Sequence, residues 1–283
     1  MKKVIFDTDT FNEADDQFAL AYLLKYRNMF DIQAITICPF KHSKYDYSVS
    51  ESINDSFDEI AKILDYLDIK DRSNIYKGST DYLTNGYDEL NPAVEKIIEI
   101  CLENDETYIL ATGCLTNIAL AMKKCPNIIE KIKLIWLGSN FLFGNNQDFN
   151  FRQDIESTKF VFNSKVDLTV IPCTPITSNL VVSIYELEAE IKEKNDLCNY
   201  LYYIFKNRSH GTTKRWPLWD ISVVAFLVNN NWFETMEISC PNIKEDNSFE
   251  LTNSRHKVKF VKSLRANEII EDLFNKLTDT TIN

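Results

Sequence analysis

Short apolar runs alternate with amphipathic segments along the chain up to Pro175, and this alternation constrains the fold more than any other feature. Five runs are nearly all apolar and have the length of buried strands: KVIFD, IQAITIC, TYILATG, IKLIWLG and DLTVIPC. Helical patterns separate them, among them DDQFALAYLLKY, PAVEKIIEICLEN and TNIALAMKK. The alternation predicts an α/β fold, with a mainly parallel sheet and helices on both of its faces.

After Pro175 the pattern changes to mostly helix, which predicts a helical C-terminal part. The segments ELEAEIKEKNDLCNYLYYIFKNR, DISVVAFLVNN and ANEIIEDLFNKL are typical of helices, whereas HKVKFVKSL predicts an edge strand or one arm of a hairpin. The chain has no internal repeat, and its six Gly and seven Pro form no linker. We therefore expect a single domain over residues 1–283.

The charge balance limits the partners that the chain can have. Its 31 Lys and Arg against 42 Asp and Glu give a net charge of −11, which argues against nucleic acid or an anionic membrane as a partner. The N-terminal apolar run is too short for a signal peptide, and no run of about 18 apolar residues could span a bilayer. A cytoplasmic location is the default expectation. The seven widely spaced cysteines predict buried, reduced thiols.

Four carboxylates crowd the turn DTDTFNEADD between the first strand and the first helix: Asp7, Asp9, Asp15 and Asp16. Acids in the first turn of a helix are stabilised by the macrodipole, which accounts for Asp15 and Asp16. It does not account for Asp7 and Asp9, which end a buried strand, where uncompensated charge is costly. A cation with oxygen ligands, calcium or magnesium, would compensate that charge.

The segments ATGCLTN (111–117) and LGSN (137–140) end two other predicted strands. Ligands of open α/β sheets bind at the carboxyl ends of the strands, so we expect these segments beside the acidic turn. Two other motifs share part of the pattern. An EF-hand would need Gly at the position of Asn12 and Glu at that of Phe18. An aspartyl-phosphate phosphatase also has D-x-D after its first strand, but its next acidic cluster comes far downstream.

The stretch VIFDTDTFNEADDQFALAYLL resembles the N-terminal signature of the nucleoside hydrolase family (inosine-uridine preferring), calcium enzymes that cleave the N-glycosidic bond of ribonucleosides. Further segments resemble family segments in the same order: ATGCLTNIALA, WLGSN, DFNFRQD and WDISVVAFL. The matches span residues 4–228. The resemblance implies an open, doubly wound fold, bound Ca²⁺, a small-molecule nucleoside substrate and a homodimer or homotetramer.

The resemblance also implies a role for each matching residue. The calcium ligands would be the carboxylates of Asp9, Asp16 and Asp220 and the backbone carbonyl of Thr112, with Asp7 supporting the site. The substrate-binding residues would be Asp15, which accepts a hydrogen bond from a ribose hydroxyl, and Asn140, Asp148, Asn150 and Trp219. Asp9 would also take the proton of the attacking water.

Other roles remain open for four of these residues. Asp220 stands just before an apolar helix and could be its N-cap. Thr112 could be a turn residue, and Asn140 and Asn150 could be ordinary polar residues of loops.

The chain departs from the family pattern at four places. Its acidic turn is two residues longer and lacks glycine, and Asp148 stands where the family has Glu. Trp219 replaces a histidine that protonates the leaving group in some members, and the asparagine expected after the second strand is not evident in ICPFKHSKYDY. Indole cannot deliver a proton near neutral pH.

His210, in the loop RSHGTTKRW, is the predicted proton donor, although it could also be a solvated loop histidine. His42 and the tyrosines of KYDY are further candidates, and Phe141, Phe143 and Trp219 could wall a base pocket.

Three hypotheses follow from the sequence. The first is calcium-dependent hydrolysis of ribonucleosides. The second is a calcium- and ribose-binding module with little or no activity, because Trp219 and Asp148 depart from the family pattern. The third is the phosphatase.

Overall fold

The structure, a computed structural model, describes residues 1–42, 48–143, 146–208 and 214–279. The strands are β1 (Lys2–Thr8), β2 (Phe30–Ile37), β3 (Ile75–Lys77), β4 (Thr107–Ala111), β5 (Ile132–Leu137), β6 (Asp167–Ile171), β7 (Val181–Ser183), β8 (Arg215–Pro217), β9 (Phe233–Ser239), β10 (Asn242–Ile243), β11 (Phe249–Glu250) and β12 (Lys257–Leu264). The α-helices are α1 (Asp15–Lys25), α2 (Val49–Tyr66), α3 (Pro92–Glu103), α4 (Thr116–Lys124), α5 (Phe149–Gln153), α6 (Ile155–Asn163), α7 (Ile184–Glu190), α8 (Asp196–Arg208), α9 (Ile221–Val228) and α10 (Ala266–Thr278).

An eight-stranded sheet forms the centre, in the order β3-β2-β1-β4-β5-β6-β12-β9, and every neighbouring pair is parallel except β12 and β9. Side chains of β1 alternate between two buried clusters. Val4 and Phe6 pack with α1, α9 and α10 on one face, and Ile5 packs with α3, α4 and α6 on the other. The predicted α/β fold with helices on both faces is confirmed.

The C-terminal part is helical in α7 to α10, as predicted, but it also contributes strands. HKVKFVKSL forms β12, which pairs with β6 on one side and antiparallel with β9 on the other. The edge-strand alternative is therefore wrong, and the hairpin-arm alternative describes its pairing with β9. The predicted long helix beginning at Glu186 is interrupted between α7 and α8, where Glu193 has a φ of 65°.

The sheet brings the predicted strand ends together. β1, β4, β5 and β6 are consecutive neighbours, so the loops that follow them meet at one edge. Backbone hydrogen bonds join these loops, because Thr112 N–H donates to the Asp7 carbonyl (2.9 Å) and Cys173 N–H to the Ser139 carbonyl (2.8 Å). In the described part of the chain, no helix has both the length and the apolar character that a membrane crossing requires.

Candidate active site at the carboxyl edge of the sheet

A cavity of about 370 Å³ opens at this edge of the sheet. Its volume falls in the range of small-molecule sites. Its walls are formed by Asp9, Asn12, Glu13, Asp15, Asp16, His42, Thr112, Leu137, Asn140, Gln147, Asp148, Phe149, Asn150, Cys173, Thr174, Trp216, Trp219 and Asp220. Nine of the ten predicted site residues that lie within the described ranges line this cavity, and the tenth, Asp7, does not.

Three carboxylates converge at the floor of the cavity. Asp15 and Asp16 open α1, and Asp220 directly precedes α9, which packs against α1. One oxygen from each lies within 4.8 Å of the other two, and the residues are only 2, 1 and 5% exposed. The Asp220 N–H donates to Asp15 Oδ2 (3.2 Å), which fixes the two helix starts relative to each other.

Asp220 occupies the N-cap position of α9, yet its side chain makes no capping hydrogen bond. Its carboxylate instead faces Asp15 and Asp16. The simple capping role that the sequence left open is therefore not what orients this side chain.

Asp9 lies beside this group and is 2% exposed. The Asn12 N–H donates to the Asp9 carbonyl (2.7 Å), and Asn12 Nδ2 donates to Asp9 Oδ2 (3.1 Å). These two bonds close the longer turn on itself. Burial raises the pKa of the Asp9 carboxyl well above its ordinary value, and the neighbouring charge of Asp16 raises it further.

The same physical cause acts on the other acids at the floor. Burial is the main reason that the pKa values of Asp15, Asp16 and Asp220 are raised, and mutual repulsion adds to it for Asp15 and Asp220. In the absence of a cation, the folded chain therefore disfavours full ionisation of this cluster.

Unsatisfied oxygens support a cation-binding role. Asp7 Oδ2, Asn12 Oδ1 and Asp15 Oδ1 are buried acceptors without a hydrogen-bond partner. Neither lysine nor arginine is among the described residues that line the cavity. Carboxylate and amide oxygens are the ligands that hard divalent cations prefer, so the residues present fit calcium or magnesium.

Asp7 lies beneath the cavity wall and is fully buried. Its Oδ1 accepts hydrogen bonds from Thr36 Oγ1 (2.6 Å) and Asn117 Nδ2 (2.9 Å). Burial raises its pKa to about 7. Its role in supporting the site stays a prediction.

The Thr112 carbonyl, a predicted ligand, accepts a hydrogen bond from Asn150 Nδ2 (2.7 Å). The same nitrogen donates to the Leu137 carbonyl (3.0 Å), so both amide hydrogens of Asn150 have acceptors and its Oδ1 is left to accept from a ligand. Gly113 is required here because a Cβ would lie 2.3 Å from Cys38 Sγ and 3.2 Å from Asp9 Cγ.

Asp148 lines the cavity and also accepts hydrogen bonds from the protein backbone. Its Oδ1 accepts from the N–H groups of Ser139 (2.7 Å) and Phe151 (2.9 Å), which makes it the N-cap of α5. Asn140 also lines the cavity, and its N–H donates to Asn146 Oδ1 (2.8 Å). Only part of the Asp148 carboxylate is therefore available to a sugar.

Trp219 lines the cavity together with Trp216, which packs edge-to-face against it at 5.3 Å between ring centroids. Phe141 and Phe143 do not line it, and Phe143 is 78% exposed, so the expectation that these two wall a base pocket is wrong. His210 and the tyrosines of KYDY lie outside the described residues.

The sequence reasoning missed several cavity residues. Glu13 and Asn12 stood within the acidic turn that was singled out, and Trp216 is three residues from Trp219. Cys173 ends the predicted strand DLTVIPC and Thr174 follows it, which is a signal for this edge of the sheet. Gln147 and Phe149 flank the predicted Asp148.

Comparisons with known proteins agree with this architecture. The chain is similar to the non-specific ribonucleoside hydrolase RihC of Escherichia coli, with 28% identity over 130 residues, 44% of this chain and 42% of that relative. The match therefore spans less than half of RihC. It is also similar to the putative pyrimidine-specific ribonucleoside hydrolase RihB of Shigella boydii, with 28% identity over 53% of this chain and 66% of that relative.

Two solved structures share the fold. A plant nucleoside hydrolase, PpNRh1, superposes with a TM-score of 0.79 at 20% identity, covering 98% of this chain and 99% of that chain. The purine-preferring ribonucleoside hydrolase of Gardnerella vaginalis gives 0.79 at 19% identity, covering 98% of each chain. The family profile of the inosine-uridine preferring nucleoside hydrolases matches residues 4–271. The chain therefore belongs to the inosine-uridine preferring nucleoside hydrolase family.

Proposed function

We propose that the protein hydrolyses the N-glycosidic bond of ribonucleosides and that it needs calcium to do so. The observation that carries the proposal is the buried group formed by Asp15, Asp16 and Asp220, with Asp9 beside it, at the floor of a cavity of ligand size. Family membership supports the same reaction. Asp9, Asp16, Asp220 and the Thr112 carbonyl would hold the cation. Calcium, when bound, would bind the cis-diol of the ribose and polarise one water molecule.

The residues around the floor would orient the sugar. Asn150 presents Oδ1 as an acceptor, since both of its amide hydrogens are held by backbone carbonyls. Asp15 retains one oxygen without a partner and can accept from a ribose hydroxyl. Asn140 and Asp148 would contact the sugar from the opposite wall.

The reaction passes through a sugar ring with oxocarbenium character, which nearby carboxylates stabilise. Asp9 is the proposed general base. A base in this position contributes on the order of 10² to 10⁴ in rate.

The experiment is incubation of the purified protein with a panel of ribonucleosides and 2′-deoxyribonucleosides in the presence of calcium, followed by chromatography of the released base. We expect release from at least one ribonucleoside, with 2′-deoxy analogues cleaved more slowly because they lack one of the two diol oxygens. No release from any member would refute the catalytic proposal.

A non-catalytic ribose-binding module is the second candidate. It is favoured by Trp219, which offers no proton, and by Asp148, whose Oδ1 is held by the α5 N-terminus. Calorimetry with the same nucleosides would identify it as affinity without turnover.

A further inference from the structure

The departing base of a nucleoside needs a proton, because its nitrogen leaves with the electron pair of the broken bond. Among the described residues, the cavity offers one imidazole, that of His42. His256 is also described but does not line the cavity. Imidazole is the side chain whose ordinary titration range lies closest to neutral pH.

We propose that His42 is the general acid that protonates the leaving base, and that Glu13 holds it in position. His42 Nε2 lies 3.6 Å from Glu13 Oε1, and the two side chains are 21 and 17% exposed. A carboxylate at this distance attracts an imidazolium, which carries a proton on each ring nitrogen. Nε2 faces Glu13, and an imidazolium held in this way can transfer a ring proton to a base that approaches it. The inference rests on the proposed function.

The loop that carries His42 is fixed by contacts on both sides of the cavity. The Lys41 N–H donates to Gln153 Oε1 (3.1 Å), and Gln153 Nε2 donates back to the Lys41 carbonyl (3.1 Å). The His42 ring packs against Phe149, with centroids 5.7 Å apart and a 33° angle between planes. The imidazole is thus held against an aromatic cavity wall. Arg152 lies over the same Phe149 ring, with its guanidinium carbon 5.6 Å from the ring centroid.

The Glu13 N–H donates to Asp16 Oδ2 (3.4 Å), so the acidic turn connects the floor of the cavity with the more exposed pair formed by Glu13 and His42. The carboxylates of Asp15, Asp16 and Asp220 at the floor are at most 5% exposed, whereas the pair formed by Glu13 and His42 is several times more exposed. A ribose whose diol is held at the floor would present C1′ and its base toward the rim. That is the end at which a proton donor for the base is required.

Two other cavity groups away from the carboxylates at the floor, the Cys173 thiol and the Asp148 carboxyl, are less suited to this role than His42. Burial raises the pKa of the Cys173 thiol well above its ordinary value, which makes it a weaker acid. Burial raises the pKa of the Asp148 carboxyl, but two backbone N–H groups donate to its Oδ1 and hold that oxygen toward the protein rather than toward a leaving base.

The proposed step balances as follows. The bond between C1′ and the base nitrogen breaks, its electron pair stays on that nitrogen, and the proton of the His42 imidazolium bonds to the base. The oxygen of water bonds to C1′, and Asp9 receives the water proton. Solvent then exchanges a proton with each residue, so Asp9 is again ionised and His42 again protonated. The products are free base and ribose.

The experiment compares two ribosides in wild type and in His42→Gln. The first is the nucleoside that the wild type cleaves fastest, and the second is 4-nitrophenyl β-D-ribofuranoside, whose leaving group departs as a stable anion. We expect His42→Gln to lower kcat on the nucleoside by about 100- to 10,000-fold and to leave the nitrophenyl riboside rate unchanged. His256→Gln is the matched control and should match wild type on both substrates.

Glu13→Gln tests the positioning residue. It should lower nucleoside turnover selectively and by less than His42→Gln does, and the double variant should be no slower than His42→Gln alone. Wild-type nucleoside turnover in His42→Gln would overturn the inference, as would equal losses on both substrates. A wild-type protein that cleaves neither riboside would instead refute the proposed function itself.

Discussion

Replacing Asp220 with asparagine distinguishes between two roles of this residue, that of a metal ligand and that of a helix cap. The change keeps the size of the side chain and removes one buried charge from a group whose oxygens lie within 4.8 Å of one another. Two full charges at that distance repel by about 3 kcal/mol at an effective dielectric constant of roughly 20. Burial raises the pKa values of these carboxyls, which favours their neutral forms and makes the relief smaller than this full-charge value.

The loss of calcium binding changes the free energy of unfolding in the opposite direction to the relief of charge repulsion. A site that binds only the folded chain adds about 2.7 kcal/mol at a calcium concentration of roughly 100 times Kd. For a chain of 283 residues this corresponds to a rise of about 5 to 8 °C in Tm. Loss of a carboxylate ligand should abolish most of that rise.

Thermal unfolding in chelator measures the relief of charge repulsion, and thermal unfolding with calcium measures the stabilisation by the bound ion. We expect Asp220→Asn to have an equal or higher Tm than wild type in chelator and to show little rise with calcium. Ser183→Ala is the matched control, because Ser183 caps α7 by accepting from the Glu186 N–H (3.1 Å). It should lose about 1 kcal/mol in both conditions. A Tm loss of that kind in Asp220→Asn, with the calcium response intact, would refute the ligand assignment.

Three further predictions follow from the same site. Asp9→Ala should abolish nucleoside turnover, whereas Asp16→Ala should chiefly remove the calcium-dependent rise in Tm; full activity of Asp9→Ala would contradict its role as the base. Burial raises the pKa of Asp7 to about 7 from 3.8, so the folded chain binds that proton more tightly than the unfolded chain does. In chelator, Tm should therefore fall as pH rises from about 4 through about 7, and calcium should reduce the fall. Gly113→Ala should destabilise the fold by about 1 to 3 kcal/mol and weaken calcium binding in calorimetry, because the new Cβ would crowd Cys38 Sγ (2.3 Å) and Asp9 Cγ (3.2 Å).

The central strands were predictable because both of their faces are buried. β1, β2, β4, β5 and β6 are nearly continuous apolar runs, and a parallel sheet with helices on both faces follows from their alternation with helices. β3 has only three residues, and β9 is a largely exposed strand at the sheet edge, so neither stands out in the sequence. For β12 the sequence left an edge strand and a hairpin arm open, because strand order depends on long-range pairing.

The acidic turn was predictable because four like charges next to a buried strand need a common explanation. The rim of the cavity was not, since it depends on contacts between distant loops. Gln153 fixes Lys41 across 112 residues of sequence, and this contact brings His42 to the wall. The oligomeric state and the cytoplasmic location stay predictions.

The most direct test of the account is reversible calcium dependence of nucleoside cleavage. Base release would be followed in one sample before chelation, after addition of a calcium chelator, and after calcium is restored in excess. The account predicts that release stops on chelation and recovers with calcium, in parallel with the calcium-dependent rise in Tm. Base release that continues at its initial rate in chelator would contradict the claim that a cation bound by Asp9, Asp16 and Asp220 serves the reaction.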